Sequence, residues 1–441
     1  MTAHRKTLLP FLLLALLLAP QHLLAGAAFV SRGLSADDEA HIRRRQLLQY
    51  TTNNNGGHGH DNGVDPSSYS FPNPRLRDAY VALQAWKRAI LSDPYNVTGS
   101  WSGPDVCAYA GVFCAPSPSD PYLTVVASVD LNHADLAGHL PEELGLLADL
   151  AVLHLNSNRF CGLVPRSLDK LHALHELDLS NNRLVGGFPD VVLRMPALKY
   201  LDLRFNEFEG TVPPALFDRP LDAIFINSNR FRFRIPDNVG SSPASVLVLA
   251  NNDFGGCLPA SVANMSATLN EIILINTGLK SCVPPELGAL HALTVLDVSH
   301  NSLMGAVPAE LAGLHSIEQL NLAHNRLVGD VPEGICHLPN LQNFTYSYNF
   351  ITGEPPVCLH VRNVDDRRNC IPDRPGRPSN AKSPPPPPSY EVSPEDRYLS
   401  PPPPPASVPK YDYSSPPPPR TLYKLPTWNY ASPPPPAAWK P

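Results

Sequence analysis

Ten prolines recur at nearly constant spacing through the middle of the chain, and this period limits the fold more than any other feature. Successive prolines are 23 to 25 residues apart. They are Pro141, Pro165, Pro189, Pro213, Pro236, Pro259, Pro284, Pro308, Pro332 and Pro356. One unit of this size cannot bury its own hydrophobic side, so the period predicts a solenoid in which the copies stack on one another.

Each proline ends a phrase with alternating leucines, as in the run from Leu177 to Pro189. Because alternate strand residues face opposite sides, Leu177 and Leu179 are predicted to point inward and Asp178 outward. Asn182 is predicted to bond backbone groups of neighbouring coils that otherwise lack partners. The phrase has the leucine-rich repeat pattern. It predicts an α/β solenoid, a right-handed superhelix of about ten repeats, with a parallel sheet of roughly 43 Å on its inner face.

The two ends of the chain differ from the repeats. Arg5 and Lys6 precede an apolar run and then small residues, which is the pattern of a secretory signal peptide. A retained membrane anchor is the alternative, but the run is short for a bilayer and breaks at Pro20. The predicted segments are a signal peptide (1–27), a flexible segment (28–70), an N-terminal cap (71–122), repeats with a C-terminal cap (123–358), a cysteine-containing hinge (359–382) and an extensin-like Ser-Pro-rich tail (383–441).

The composition of the tail separates it from the body. Residues 371–441 hold 25 of the 52 prolines, and their Ser-(Pro)4/5 blocks favour extended polyproline II, so a globular domain there is excluded. This segment carries 8 Lys and Arg against 5 Asp and Glu, whereas the body after the signal peptide carries 24 against 35. An acidic body argues against nucleic acid as a partner, and no later stretch could span a membrane.

Secretion predicts that most of the eight cysteines form disulfides. Two pairs would close the caps, and a third would join adjacent coils, where equivalent positions lie about 5 Å apart. The predicted pairs are Cys107–Cys114, Cys257–Cys282 and Cys336–Cys358. Cys161 and Cys370 remain, with home coils about 38 Å apart. Cys161 is therefore predicted to be free or joined to another chain in a disulfide-linked homodimer; the alternative is a different cap pairing that leaves it reduced.

Three sequons and a tyrosine pair are candidate modification sites. Asn96, Asn264 and Asn343 each begin an Asn-X-Ser/Thr sequence, which secretion makes a candidate for glycosylation, with chance occurrence as the alternative. Tyr411 and Tyr413 place two phenols one residue apart in the tail, an arrangement suited to oxidative crosslinking. The alternative is that the tail is a featureless linker or a ligand for proline-reading domains.

At this level of detail the chain resembles the plant leucine-rich repeat extensins. The resemblance rests on the Ser-Pro blocks and on the runs 106–114, 130–136, 188–192, 201–210, 246–252 and 343–346. It implies an extracellular cell-wall protein whose repeats bind secreted, basic, cysteine-rich peptides of the rapid alkalinisation factor type. It also implies a hydroxylated, glycosylated tail that anchors the protein in the wall, with the polysaccharide pectin as the tail's partner, and a role in regulating wall assembly and cell expansion.

The inner strand positions give an independent indication of peptide binding. Carboxylates beside exposed aromatic and aliphatic side chains suit a basic, partly apolar peptide, although a concave face could simply tolerate them. The candidate peptide-binding residues, all predicted to face solvent, are Glu176, Asp178, Tyr200, Asp202, Phe205, Phe225, Val246, Val248, Glu271, Ile273, Ile275 and Asp297.

Other function classes fit the sequence less well. No nucleophile–base constellation stands out, so no enzyme activity, metal or cofactor is predicted. His58 and His60 could touch a metal, but a flexible segment lacks the fixed geometry that catalysis needs. The alternatives that remain are an inhibitor of wall-degrading polygalacturonases and a purely structural wall protein.

Overall fold

The structure is a computed structural model, and it describes residues 66–372. The predictions on the signal peptide, on His58 and His60, and on the Ser-Pro tail with Tyr411 and Tyr413 lie outside the described residues. Within them, no helix is both long enough and apolar enough to cross a bilayer.

Short strands, most of them paired in parallel, recur along the described chain. In chain order they are β1 Ile90–Ser92, β2 Val112–Ser117, β3 Asp120–Asp130, β4 Ala137–Gly138, β5 Val152–His154, β6 Arg159–Gly162, β7 Glu176–Asp178, β8 Arg183–Gly186, β9 Tyr200–Asp202, β10 Glu207–Gly210, β11 Ala223–Phe225, β12 Arg230–Phe231, β13 Val246–Val248, β14 Glu271–Ile273, β15 Lys280–Ser281, β16 Val295–Asp297, β17 Ser302–Ala306, β18 Gln319–Asn321, β19 Arg326–Asp330, β20 Asn343–Thr345, β21 Phe350–Gly353 and β22 Asn363–Asp365.

The main sheet contains one strand from each repeat. Its order is β2-β3-β5-β7-β9-β11-β13-β14-β16-β18-β20-β22, antiparallel only between β2 and β3. Two flanking sheets, β1-β4-β6-β8-β10-β12 and β15-β17-β19-β21, follow the main sheet along the chain. The predicted leucine-rich repeat solenoid with a parallel sheet is therefore confirmed.

Helical turns complete each coil, and nearly all of them are 3-10 turns. Within residues 66–372 the α-helices are α1, Pro74–Ala89, and α2, Glu333–Cys336. The 3-10 helices are Pro66–Ser68, Val97–Ser100, Val106–Ala108, Glu142–Leu146, Arg166–Lys170, Asp190–Arg194, Pro214–Leu216, Asp237–Ser241, Ala260–Met265, Pro285–Ala289, Ala309–Gly313 and Pro356–His360. Most of those within the repeats follow the repeat proline directly, because proline leaves no amide to satisfy at a helix start.

The repeat asparagine satisfies backbone groups between coils, as the sequence predicted. The Nδ2 group of Asn182 donates to the carbonyls of Leu155 (2.8 Å), Leu179 (3.1 Å) and Ser180 (3.0 Å), and its Oδ1 accepts from the amide of Phe160 (2.9 Å). These bonds reach from one coil into the preceding one. The same pattern recurs along the array, so the stack is held by a ladder of buried amides as well as by its leucines.

The N-terminal cap covers the first coil with aromatic rings. Helix α1 begins after Asn73, whose side chain accepts from the Leu76 amide at 3.0 Å. Its Trp86 packs against both Trp101 of the cap (ring centroids 5.9 Å apart) and Phe160 of the repeats (5.8 Å). The predicted disulfide Cys107–Cys114 is present. Burying these rings hides the apolar end that a terminal repeat would otherwise expose.

At its C-terminal end the solenoid extends one coil beyond the last repeat proline, Pro356. The predicted disulfide Cys336–Cys358 is present. The hinge predicted for 359–382 is wrong as far as residue 372, because β22 pairs in parallel with β20. Asn369 also repeats the ladder bonds, donating to the carbonyls of Tyr346 (3.1 Å) and Asp366 (2.8 Å). This coil has no repeat proline, which is why the period did not include it.

The predicted Cys257–Cys282 disulfide is wrong, since both residues are free, exposed thiols. In the flanking sheets residue 281 pairs with residue 303, a register of 22 residues rather than one repeat. The Lys280 amide likewise donates to the Gly256 carbonyl (2.7 Å). Cys257 therefore lies opposite Lys280, which is two residues before Cys282. That offset separates equivalent positions by about 8 Å, beyond the Cα distance a disulfide spans.

Cys161 forms no disulfide within the described residues, as one of its two predicted outcomes required, and the disulfide-linked homodimer stays a prediction. Cys161 belongs to neither disulfide and is only 1% exposed. Its thiol donates to the Gly138 carbonyl (3.6 Å). A thiol this deeply buried cannot reach a second chain without local unfolding. Cys370 is half-buried, and its amide donates to the Ile351 carbonyl (2.8 Å) within the last coil.

Candidate binding face of the main sheet

The side of the main sheet opposite the leucine core, which we call the front face, carries all twelve candidate residues. Five of them are partly exposed: Glu176, Tyr200, Phe205, Ile275 and Asp297. The prediction that the other seven face solvent is wrong, since they are 0 to 8% exposed. These are Asp178, Asp202, Phe225, Val246, Val248, Glu271 and Ile273. Side chains on adjacent parallel strands stand about 4.8 Å apart, so large neighbours cover one another.

The middle of the front face holds an apolar cluster that is separate from the core; we call it the apolar patch. It consists of Ala223, Phe225, Val246, Val248, Ala250 and Ile273, with Tyr200 and Ile275 packed against it. Its largest contact is between the rings of Tyr200 and Phe225, whose centroids are 5.5 Å apart. A contiguous apolar cluster on this side of the sheet is not needed to close the solenoid, which the leucine core already does.

Acidic side chains lie on the N-terminal side of the apolar patch. Asp178 accepts from the amide (2.9 Å) and the hydroxyl (2.6 Å) of Ser180. Asp202 is fully buried, 3.0 Å from Nε of Arg204, and accepts from the Tyr200 hydroxyl (3.3 Å). Burial raises the pKa of Asp202 to about 8, with Arg204 opposing the rise. The side chains that sequence reasoning treated as free surface charges therefore belong to hydrogen-bonded networks.

Glu176 and His154 form the partly exposed ion pair of this acidic side. Nε2 of His154 lies 3.0 Å from Oε2 of Glu176. Burial opposes the charged imidazole, but the Glu176 carboxylate prevails and raises the pKa of His154. The hydrogen bond from His154 in turn lowers the pKa of Glu176. The carboxylate of Glu176 thus keeps its charge and, with 38% of its side chain exposed, can meet a ligand.

We expect the His154–Glu176 pair to stabilise the fold in mild acid and not in base. Because the pKa of His154 is raised in the folded state, the pair contributes its full stabilisation below pH 6.5, the ordinary pKa of histidine. That contribution is lost as pH rises through the folded-state pKa. The lowered pKa of Glu176 sets the opposite limit, with the contribution lost as pH falls through it. His154→Gln should therefore cost about 0.5 kcal/mol near pH 5.5 and almost nothing near pH 9 in urea unfolding.

The matched control for this pH dependence is His337→Gln. His337 pairs with Glu333 at 3.5 Å, but both side chains are more than half exposed, so solvent screens the pair. Its stability difference should stay near zero at both pH values. An equal loss for His154→Gln at both pH values would contradict the assigned charge state.

Burial also reduces the charge of two further carboxyls of the front face, on β16 and β14. Asp297 accepts from the Ser299 amide (2.9 Å) and from Nδ2 of Asn321 (2.8 Å), and burial raises its pKa. Burial, followed by the charge of Glu318, raises the pKa of Glu271 to about 7. Both carboxyls are therefore less charged than their sequence positions suggested.

Sequence reasoning missed a column of stacked rings at the edge of the C-terminal part of the front face. The ring centroids of His300 and His324 are 4.1 Å apart, as are those of His324 and Tyr348. All three residues have φ near +55°, a region that disfavours bulky side chains. Burial and His300 lower the pKa of His324. The sequence signal is present, because each residue directly precedes a ladder asparagine, as in His300-Asn301.

Residues with metal-ligand chemistry do not converge in the described range. Among residues 66–372 no group of three or more His, Cys, Asp or Glu side chains is placed to hold a metal ion. Within that range the front face carries an apolar patch with acidic side chains on its N-terminal side.

Comparison with known proteins agrees with this architecture. Residues 148–208 and 267–327 match the model of the leucine rich repeat family, and residues 78–115 match the leucine rich repeat N-terminal domain. Leucine-rich repeat extensin-like protein 6 of Arabidopsis thaliana is 69% identical over 304 residues, which are 69% of this chain and 65% of the relative. The chain is homologous to the plant leucine-rich repeat extensin-like proteins.

Other similar proteins place the fold among extracellular-type repeat domains. Leucine-rich repeat extensin-like protein 2 of the same plant is 58% identical over 238 residues, covering 54% of this chain. The chain thus spans only 30% and 65% of the lengths of these two extensin-like relatives. The solved ectodomain of the Arabidopsis receptor kinase HAESA, in complex with the peptide hormone IDA and the co-receptor SERK1, is 30% identical with a TM-score of 0.60. That match covers 66% of this chain and 50% of the receptor chain.

Proposed function

We propose that this extensin-like protein is an extracellular binding module whose front face captures a secreted, basic, cysteine-rich peptide of the rapid alkalinisation factor type. The observation that carries the proposal is the apolar patch beside the Glu176–His154 pair on the front face. Contact with the partly exposed Tyr200 and Ile275 would supply apolar affinity, because the other members of the patch are already buried. The acidic side would steer and orient a cationic ligand.

The structure favours contacts different from those that the sequence suggested. Asp178 and Asp202 are buried and internally bonded, so they support the face rather than meet the ligand. The contacts are assigned to the partly exposed side chains Glu176, Tyr200 and Ile275. Asp297 lies beyond the patch and would mark the end of the peptide's path.

Two further parts of the proposal rest on family resemblance and charge. The body is acidic, which suits a basic peptide, and the HAESA ectodomain of the same fold is solved with a peptide hormone bound. The Ser-Pro-rich tail would attach the module to the cell wall and its pectin, so that peptide capture regulates wall assembly and cell expansion. On this proposal the protein acts by binding rather than by catalysis.

Peptide binding is tested by charge reversal at the exposed end of the ion pair. With a synthetic, disulfide-bonded peptide of this type and the full secreted protein, Glu176→Lys should weaken binding about tenfold in calorimetry, near 1.4 kcal/mol. Tyr200→Ala should weaken it similarly by removing ring contact with the patch. The control is Glu209→Lys, an exposed carboxylate of β10 outside the front face. Equal affinity of all three variants and the parent protein would place the peptide elsewhere.

A further inference from the structure

The C-terminal part of the front face carries a row of carboxamides on three adjacent coils. Gln319 of β18 pairs in register with Asn343 of β20, which pairs in register with Asn363 of β22. Thr345 and Asn321 lie on the same face two residues along their strands, as does Asp365, which pairs with Arg367 at 2.7 Å. Amide and hydroxyl groups in this density, with stacked rings at the edge, differ sharply from the apolar patch. They offer hydrogen bonds to a ligand rich in hydroxyl groups.

Asn343 is the residue in this row that can carry a sugar covalently. It begins the sequon Asn343-Phe344-Thr345, in which Phe344 is fully buried in the core. Strand alternation therefore places both Asn343 and Thr345 on the front face. The Oδ1 atom of Asn343 accepts from Nδ2 of Asn363 (2.7 Å). Its own Nδ2, the atom that glycosylation modifies, makes no hydrogen bond to the described residues.

A second, independent observation is an unsatisfied hydrogen-bond donor in the same row of carboxamides. The Nε2 group of Gln319 is buried without any hydrogen-bond partner among the described residues. Leaving such a donor unsatisfied typically costs about 1 to 3 kcal/mol, so buried amides normally have an acceptor. Gln319 is the neighbour of Asn343 in the sheet register. Because protein atoms cover its Nε2, the side chain must turn outward to meet the first sugars of a chain attached there.

We propose that Asn343 carries an N-linked glycan that covers the C-terminal part of the front face and confines the peptide to the apolar patch and its acidic side. The second half of this inference rests on the proposed function, whereas the first half does not. The first sugars would lie over Gln319 and Asn363, with their oxygens accepting from Nδ2 of Asn363 and, once its side chain turns outward, from Nε2 of Gln319. The column of His324 and Tyr348 forms the far edge of the covered area.

The modification requires an oligosaccharide carried on a lipid diphosphate, the donor available to chains entering the secretory pathway. Nδ2 of Asn343 bonds to C1 of the first sugar as the bond from C1 to the diphosphate oxygen breaks. The amide nitrogen loses one proton, and the lipid diphosphate leaves. Transfer to the nascent chain precedes strand pairing, so the later position of Asn343 within a sheet does not prevent it.

The position of Asn343 on the front face distinguishes it from the other two sequons. Asn96 lies exposed in a left-handed turn of the cap, and Asn264 lies exposed in a 3-10 helix on the side opposite the main sheet. Glycans there would leave the front face open. Only a glycan on Asn343 would limit the length of peptide that the front face can accept.

The glycan is tested by peptide mass spectrometry of the full-length protein secreted from a glycosylating plant cell. We expect most copies of the Asn343 peptide to carry a glycan, and enzymatic release should convert that asparagine to aspartate. Thr345→Ala should abolish the modification, whereas the matched variant Thr345→Ser should keep it. Unmodified Asn343 beside a modified Asn264 would overturn the proposal, even if the row then bound a free wall polysaccharide.

The confinement of the peptide is tested separately, by calorimetry on the same secreted protein with the synthetic basic peptide. Asn363→Lys should change the affinity less than twofold because the glycan keeps the peptide away, while Glu176→Lys weakens it about tenfold. Equal losses in both variants would show that the peptide reaches the C-terminal coils and would overturn the confinement. If neither variant weakened peptide binding while Asn343 carried its glycan, the proposed function would be contradicted and the glycan assignment would stand.

Discussion

Replacing Asn182 with alanine should lower the free energy of unfolding by about 3 kcal/mol, a large share of the stability of a protein domain. The side chain bonds the Leu155 and Leu179 carbonyls and the Phe160 amide, all of them buried between coils. Alanine supplies neither donor nor acceptor, and the space is too enclosed for water to replace every bond. Because each repeat contacts only its neighbours, the array should also unfold less cooperatively at this point.

Urea unfolding followed by circular dichroism measures this loss. The control is Asn340→Ala, which removes one exposed bond to the His315 carbonyl (2.9 Å) and should cost less than about 0.5 kcal/mol. Asn325→Ala should reproduce the Asn182 result, since its side chain makes equivalent bonds to Val298 and Leu322. Similar midpoints for Asn182→Ala and Asn340→Ala would show that the ladder is not what joins the coils.

Replacing Trp101 with alanine should cost more, about 3 to 5 kcal/mol, because it empties a fully buried site in the N-terminal cap. The indole stacks on Tyr109, packs against Trp86 and donates to the Ala110 carbonyl (2.9 Å). Its loss would loosen helix α1 from the first coil. The exposed end of the array should then bind a hydrophobic dye and become sensitive to protease.

Tyr122→Ala is the matched aromatic control, since Tyr122 is 98% exposed and should change stability by less than about 0.5 kcal/mol. Protease cleavage should start in the cap for Trp101→Ala and not for this control. If Trp101→Ala kept both the parent midpoint and its resistance to protease, the cap would not be what protects the end of the solenoid.

Much of the fold could be predicted because its determinants repeat at short range. The alternation of Leu177 with Asp178, and the asparagine at position 182, determine the strand and the ladder within one coil and its neighbour. The cap disulfide Cys107–Cys114 was predictable because its two cysteines are only seven positions apart in the sequence. The last coil was missed because Asn363–Asp365 has no repeat proline to mark it.

The candidate site was predicted less well, because burial and register depend on several coils together. Asp202 is outward in its strand, as alternation requires, yet it is fully buried by its neighbours and bonded to Tyr200 and Arg204. The residues of the front face were therefore identified correctly while their exposure was not. The stacked His300 and His324 show the same limit, since ring contact across coils follows from the main-sheet register.

By itself the sequence determined the repeat length, the inward leucines, the asparagine ladder and two of the disulfides. Each depends on interactions within a coil or between successive coils, which a periodic pattern specifies directly. Only the tertiary structure decided that Cys257 and Cys282 stay apart, that Asp178 and Asp202 are buried, and where the apolar patch ends. The physical reason is that the main and flanking sheets have different registers, and the side chains of several coils together set exposure on the front face.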